Sequence, residues 1–235
     1  MFPLLDQQEF DFDLTYFEGF PFDIAFYSDA DRSITIKNTR NEISQVYTVE
    51  SGVNRLFISD GVNSITTLNQ IPLSIGINPL EFWIGTTLIF TINLEKKDVE
   101  CGKYLRWFNK NGAYSYFLIT TNYTTSTSSR TLATLEEREE NMDQSSGNFF
   151  ITGKDSSQSK QFLTQLLNRS QFTLLENIFR SPKVQLLNKD RLTEVKEIDW
   201  LNVSVKDGSI NDESKRSSQR LPIIINMPKP YNQTL

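Results

Sequence analysis

The chain has 235 residues, 38% hydrophobic and 12% aromatic, which is apolar material for one large β domain or two small ones and too much for a chain without a core. With no histidine and one cysteine, Cys101, it excludes imidazole-ligated zinc, Ser-His-Asp and Cys-His nucleophiles, histidine bases and any intrachain disulfide. The net charge of −5 opposes phosphate affinity, so nucleic acid is a poor partner.

Residues 1–31 hold eight acids (Asp6, Glu9, Asp11, Asp13, Glu18, Asp23, Asp29, Asp31) and no Lys or Arg. They also hold seven of the 17 phenylalanines. Phe10, Phe12 and Leu14 alternate with Asp11 and Asp13, the period of a strand with one wet face. Phe20-Pro21-Phe22 interrupts it, because proline cannot donate to a central ladder. No basic stretch precedes the first apolar residues, so no signal peptide is expected and synthesis is placed in a cytoplasm. Nor does any run reach the ~18 apolar residues that cross a bilayer, so no membrane partner is expected.

Asp29-Ala30-Asp31 reads as a turn, and Ser33 to Lys37 alternates again. Further strands are predicted near 44–50, 54–59, 63–68, 71–77, 87–95, 103–109 and 113–121. Gly52, Asp60-Gly61, Asn78-Pro79 and Asn109-Lys-Asn-Gly112 punctuate them. Strand signals about ten residues apart indicate an antiparallel sandwich or barrel. The strongest is the hairpin around the Asn-Gly break, with Tyr104, Arg106 and Phe108 on one face and Leu105 and Trp107 on the other.

Asn122 to Asn148 breaks the pattern with a Ser/Thr run, the acidic stretch Leu135 to Glu140, and Ser145-Ser-Gly-Asn148. Too polar for core, it reads either as an exposed arm or as a linker between a β module at 1–121 and a β-rich module at 149–235. The two modules are equally readable as one continuous domain. A short helix over Ala133 to Asn141 is a further expectation. Lys160 to Leu167 fits strand or helix. Ser170 suits the N-cap of a short helix near 171–179, ended by Pro182. Val184 to Leu187, Asp199 to Val205 and Leu221 to Met227 read as strands, with Asn211 to Arg220 a charged loop. From 151 onward 13 basic residues stand against nine acids. That asymmetry either orients subunits head to tail or reflects plain solvation of each segment.

The hairpin carries a resemblance. Cys101, Gly102, Leu105, Arg106, Trp107, Asn109, Gly112, Tyr116 and Phe117 form a pattern similar to structural tail and neck proteins of tailed bacteriophages, especially crAss-like phages and other phages of Bacteroidetes. Leu174 to Leu187 resembles the short helix, Ser-Pro and strand passage of the same proteins. Trp200, Val203 and Val205 and then Ile223 to Pro228 follow in the same order, so the likeness spans roughly 85–228. The resemblance tips Lys160 to Leu167 to strand. It implies a virion building block, a homo-oligomeric ring subunit in the tail or neck, made in the host bacterial cytoplasm. Its neighbours would be other tail, neck or portal-associated proteins, with genome DNA at most passing through a channel. No catalytic residue, cofactor or metal is implied, and the chain is not expected to be an enzyme.

Other residues compete with this reading. Asp23, Asp29 and Asp31 suggest an oxygen-ligand cation site, but lack EF-hand spacing and suit turns better. Glu81 beside Phe82-Trp83 suggests a sugar-stacking platform or a core aromatic with an edge charge. With Trp107 and Trp200, Trp83 is the candidate set for the alternative function, a receptor- or carbohydrate-binding β module of a fibre or baseplate. A carboxylate hydrolase needs two facing acids across a cleft, and no pair stands out among 29. Cys101 lacks a nearby base and reads as a buried or half-buried thiol. Asn122, Asn168, Asn202 and Asn232 lie in glycosylation-type tripeptides, which read as products of composition. Lys215, Arg216 and Arg220 are a small basic cluster.

Overall fold

The computed structural model describes residues 1–5, 11–61, 71–98, 101–136, 149–188, 196–206 and 218–229. It is mainly β and mostly antiparallel, with one short helix. The strands of the first half are β1 (Phe2–Pro3), β2 (Asp11–Phe17), β3 (Phe22–Ser28), β4 (Arg32–Asn38), β5 (Ile43–Val49), β6 (Gly52–Ser59), β7 (Gly76–Ile84), β8 (Thr87–Lys97), β9 (Lys103–Phe108) and β10 (Tyr114–Ile119). The second half adds β11 (Tyr123–Glu136), β12 (Phe149–Leu163), β13 (Leu167–Asn168), α1 (Arg169–Glu176), β14 (Val184–Leu187), β15 (Trp200–Val205), β16 (Ser218–Gln219) and β17 (Pro222–Asn226).

A five-stranded sheet runs β2-β8-β7-β4-β5, a three-stranded one β1-β3-β6, and β13 pairs with β16. The largest sheet runs β10-β9-β14-β15-β17-β12-β11. Among the described residues, all pairings are antiparallel except β2 with β8. Strands from before and after 122–148 therefore share one sheet, β9 pairing directly with β14. One apolar cluster joins Ile36 and Phe82 of the five-stranded sheet, Ile24 of the three-stranded sheet and Trp107 and Ile223 of the largest. Residues 122–148 thus do not link two separately closed sheets.

The hairpin forms as its alternation requires, Tyr116 opposite Arg106 and Ser115 opposite Trp107. Both of its faces are covered. Its turn also anchors the start of the chain. Asn109 Oδ1 accepts from Asn111 N and Ala113 N at 3.0 Å, while Asn109 Nδ2 donates to Leu4 O at 3.0 Å. Asn111 donates to Leu5 O, a second tie to the same segment. Gly102 enters β9 where an added Cβ would lie 2.7 Å from Ile119 O and 2.8 Å from Leu118 Cδ1. Gly102→Ala should therefore cost roughly 1–3 kcal/mol through overpacking against backbone, seen as a lower urea midpoint with unchanged slope.

Three expectations are corrected. Asn78-Pro79 is not a break: β7 runs through it, and the strand expected at 71–77 begins at Gly76. The proline lies opposite Thr39, just past the end of β4, and its carbonyl accepts from Thr39 N, so its missing N–H removes at most one bond at the end of that ladder. Buried Asn78 instead holds the preceding segment, its Nδ2 donating to Ser74 O and Gly76 O at 2.7 and 2.8 Å. The helix cap is Asn168, not Ser170, because Asn168 and Gln171 satisfy each other's backbone N–H in a capping box. The helix is continued by a 3₁₀ turn, Asn177–Arg180. Finally, Tyr123–Glu136 is an exposed strand, so the helix expected from Ala133 does not form over Ala133–Glu136. Cross-strand hydrogen bonding to β12 gives its polar residues a role that hydrophobic periodicity does not register. Lys160 to Leu163 is strand, but Thr164 to Leu166 is irregular before β13. The strand expected at 63–68 lies outside the described residues, as do the end of the helix expected at 133–141 and most of the 211–220 loop.

Candidate functional site

The carboxylates considered for a cation are held by separate partners. Asp23 is buried and takes Arg55 Nε at 2.9 Å and Nη2 at 2.8 Å, together with the Tyr116 hydroxyl. Asp29 pairs with Arg32 at 2.6 Å. A backbone hydrogen bond at Asp29 itself, and then Arg32, holds its carboxyl below the usual range. Asp31 caps Ser51 N at 2.6 Å. Glu18 pairs with Lys96 at 3.2 Å, and Asp13 accepts from Asn93 at 3.0 Å. Each of these five carboxylates thus has a partner within the chain.

Beneath Asp23 lies a cavity of about 20 Å³ lined by Leu5, Leu14, Thr15, Phe22, Asp23 and Tyr116 among others, room for one water. Burial pushes the Tyr116 and Tyr104 hydroxyls well above the usual tyrosine range, and raises Tyr16 to about 12. Unfolding returns these groups to about 10. The native state then binds more protons than the unfolded chain above pH 10. Their contribution to stability is full below pH 10 and falls as pH rises above it, that of Tyr16 being lost through about 12. Urea midpoints should be level from pH 7 to 9 and drop between 10 and 12.

Among the tryptophans, Trp107 and Trp200 are buried and Trp83 is half-buried. Trp200 belongs to a packed polar row. Arg106 lies 4.1 Å from the Trp200 ring and 4.6 Å from Tyr114, and donates to Gln185 at 2.7 Å and Glu197 at 2.5 Å. Gln185 passes the row to Asn202 at 2.7 Å. This is how a guanidinium tolerates burial: its donors are satisfied and its faces covered by aromatic rings. Two of the three tryptophans are scaffold.

Trp83 differs. Phe82 enters the core, while Glu81 and Trp83 lie on the outer face of β7, Trp83 Nε1 donating to Glu81 Oε2 at 3.0 Å. The registers place Val46, Thr35, Trp83 and Leu88 in one row across β5, β4, β7 and β8. The face is open, and Val46 is 66% exposed. Cys101 is exposed, correcting the buried reading, because it precedes β9 rather than lying in it.

The feature that hydrophobic patterning underestimates is the β11–β12 ribbon. β12 is flanked by β17 through Ser159–Leu163, and Met227 N and Lys229 Nζ follow it to Gln158 and Asp155. Past Asp155, among the described residues, the ribbon has no third strand for six residues on each side, about 20 Å of length. Its far end exposes Leu132, Leu135, Phe150 and Ile151, with Leu135 directly opposite Phe150. The signal in the sequence is the strand-length Ser/Thr run ending in Leu132-Ala-Thr-Leu135, faced across a polar gap by Phe149-Phe-Ile151.

No family model, curated protein or solved structure matches the chain.

The chemistry these residues offer is that of contact surfaces: an open sheet face, exposed strand edges and a projecting ribbon.

Proposed function

We propose that the chain is a structural subunit of a bacteriophage tail or neck, one copy gripping the next in a ring by means of the β11–β12 ribbon. The ribbon carries the reading. Two strands alone are marginal in water, and this pair holds large apolar side chains at its unsupported end. Such an element becomes stable when a partner covers it. The virion assignment rests on the hairpin pattern from Cys101 to Phe117 and the ordered matches after it. Other tail, neck or portal-associated proteins would be its neighbours, and its role is assembly, with chemistry left to them.

Native mass measurement of the purified chain at micromolar concentration tests this. The full chain should form a closed multimer of its 27.1 kDa subunit, and shortening the ribbon should return it to monomer. A full chain that stays monomeric at every concentration removes the proposal.

The second reading, a receptor- or carbohydrate-binding module, is favoured by the half-buried Trp83 held by Glu81 on an open sheet face. Binding to a glycan array that disappears in Trp83→Ala, with the fold intact, would establish it over the ring.

A further inference from the structure

Each sheet edge offers unpaired N–H and C=O groups, and proteins normally protect such edges with charge, proline, bulges or cover. Most edges here are protected. β10 is buried at five of its six residues. β2 is buried from Leu14 to Phe17. β6 carries Arg55 and is buried at Leu56, Ile58 and Ser59.

Among the described residues, two edges stay exposed over four or more consecutive residues. β5, Ile-Ser-Gln-Val-Tyr-Thr-Val, has no charged residue and no proline, pairs with β4 without a shift, and is exposed from Ile43 to Val46. β11 is exposed from Tyr123 to Leu135; it carries one cation, Arg130, and its register against β12 shifts between Thr131 and Thr134, but it runs regularly from Tyr123 to Thr131. The two exposed edges sit on separate sheets of the same chain.

Resting on the self-assembling reading above, we infer that the β11 edge of one copy pairs with the β5 edge of the next, so that the ribbon extends the neighbour's five-stranded sheet. The outer-face row Leu88, Trp83, Thr35 and Val46 then continues onto Leu135 and Phe150. Val46, Leu135 and Phe150 are 66%, 61% and 51% exposed in the single chain, and this arrangement covers all three. The exposed surface comprises residues 123–135 of β11 with Phe150, Ile151 and Lys154 of β12. That approaches the roughly 20–30 residues a side of a standard interface. An edge donated on one side and received on the other is a heterologous contact, the kind that closes into a ring when the rotation per subunit allows. Main-chain pairing supplies the attraction and the aligned apolar row sets the register.

The test separates donor from acceptor. The acceptor variant is Val46→Lys with Thr48→Lys, both exposed and cross-strand to uncharged Thr35 and Ser33, so folding should survive. If the double variant unfolds by circular dichroism, Val46→Lys alone replaces it. The donor variant substitutes an Asn-Gly turn for residues 131–154, joining the directly opposed Arg130 and Asp155. Native mass should show a multimer for the parent chain and monomers for each variant alone. An equimolar mixture of the two should give a one-to-one dimer, because one intact donor and one intact acceptor remain. A lysine variant that multimerises like the parent overturns the β5 assignment while leaving the ring proposal standing. Two monomeric variants that fail to pair on mixing overturn the donor–acceptor geometry. A monomeric parent chain overturns both.

Discussion

Replacing Trp107 with alanine is expected to cost about 3–5 kcal/mol, a large share of the roughly 5–15 kcal/mol that holds a domain folded. Trp107 is fully buried in β9, opposite Ser115 of β10 and Val184 of β14, in the largest sheet. Neighbours on both sides are fixed by ladder hydrogen bonds, so the cavity left by the indole cannot collapse. The indole N–H finds no acceptor among the described residues. Trp107→Phe therefore sacrifices packing without orphaning a carbonyl or hydroxyl, and should cost at least about 1.5 kcal/mol less than the alanine variant. Urea unfolding followed by far-UV circular dichroism, with unchanged slope, measures both. If phenylalanine proves as costly as alanine, the indole nitrogen makes an essential bond and the packing account is wrong.

Trp107 also shows why the hairpin is the most legible part of the chain. Alternating side chains around Asn109-Lys-Asn-Gly112 specify two strands and a turn from local sequence alone, and β9 and β10 follow within a residue or two. What local sequence does not specify is burial of both faces, since that depends on β14 and β15 arriving from some 80 residues later. Arg106 illustrates the gap. Its place on the Tyr104 face is readable, but a buried guanidinium requires Gln185, Glu197 and Trp200, which no local pattern announces.

The same distinction explains why the strand at Tyr123–Glu136 is not expected from sequence. Hydrophobic periodicity is blind to a strand whose faces both meet water, so Thr124 to Thr131 resembles loop. Cross-strand pairing with Lys154 to Gln161 makes it strand regardless. Asn78-Pro79 misleads for the converse reason: a turn-forming dipeptide lies where the neighbouring strand ends, and the sheet has room for it. At the candidate site, adjacent Phe82 and Trp83 are visible as aromatic residues, and their opposite fates follow from strand alternation. The open β5 edge is readable as an uncharged strand, but its position at a sheet edge belongs to topology.

The Asp23–Arg55–Tyr116 cluster yields an asymmetric expectation. It joins β3 and β6 of the three-stranded sheet to β10 of the largest, and its members differ in access to water: the Asp23 side chain is 2% exposed and that of Arg55 40%. Arg55→Ala leaves a buried carboxylate with only the Tyr116 hydroxyl among these partners, and should cost roughly 3–5 kcal/mol. Asp23→Ala frees Arg55 to turn its guanidinium into solvent and orphans only the buried hydroxyl, so its cost should be about 1–3 kcal/mol. The double variant should resemble Asp23→Ala alone, because once the carboxylate is gone the arginine has little left to compensate. Denaturant midpoints for the two single variants and the double, combined as a double-mutant cycle, give the coupling. Additive costs, or a greater loss from Asp23→Ala than from Arg55→Ala, would show that removing the carboxylate matters more than leaving it unpaired. The attachment between these sheets would then rest on Phe22 and Tyr116 packing, whose rings lie 5.6 Å apart, rather than on charge.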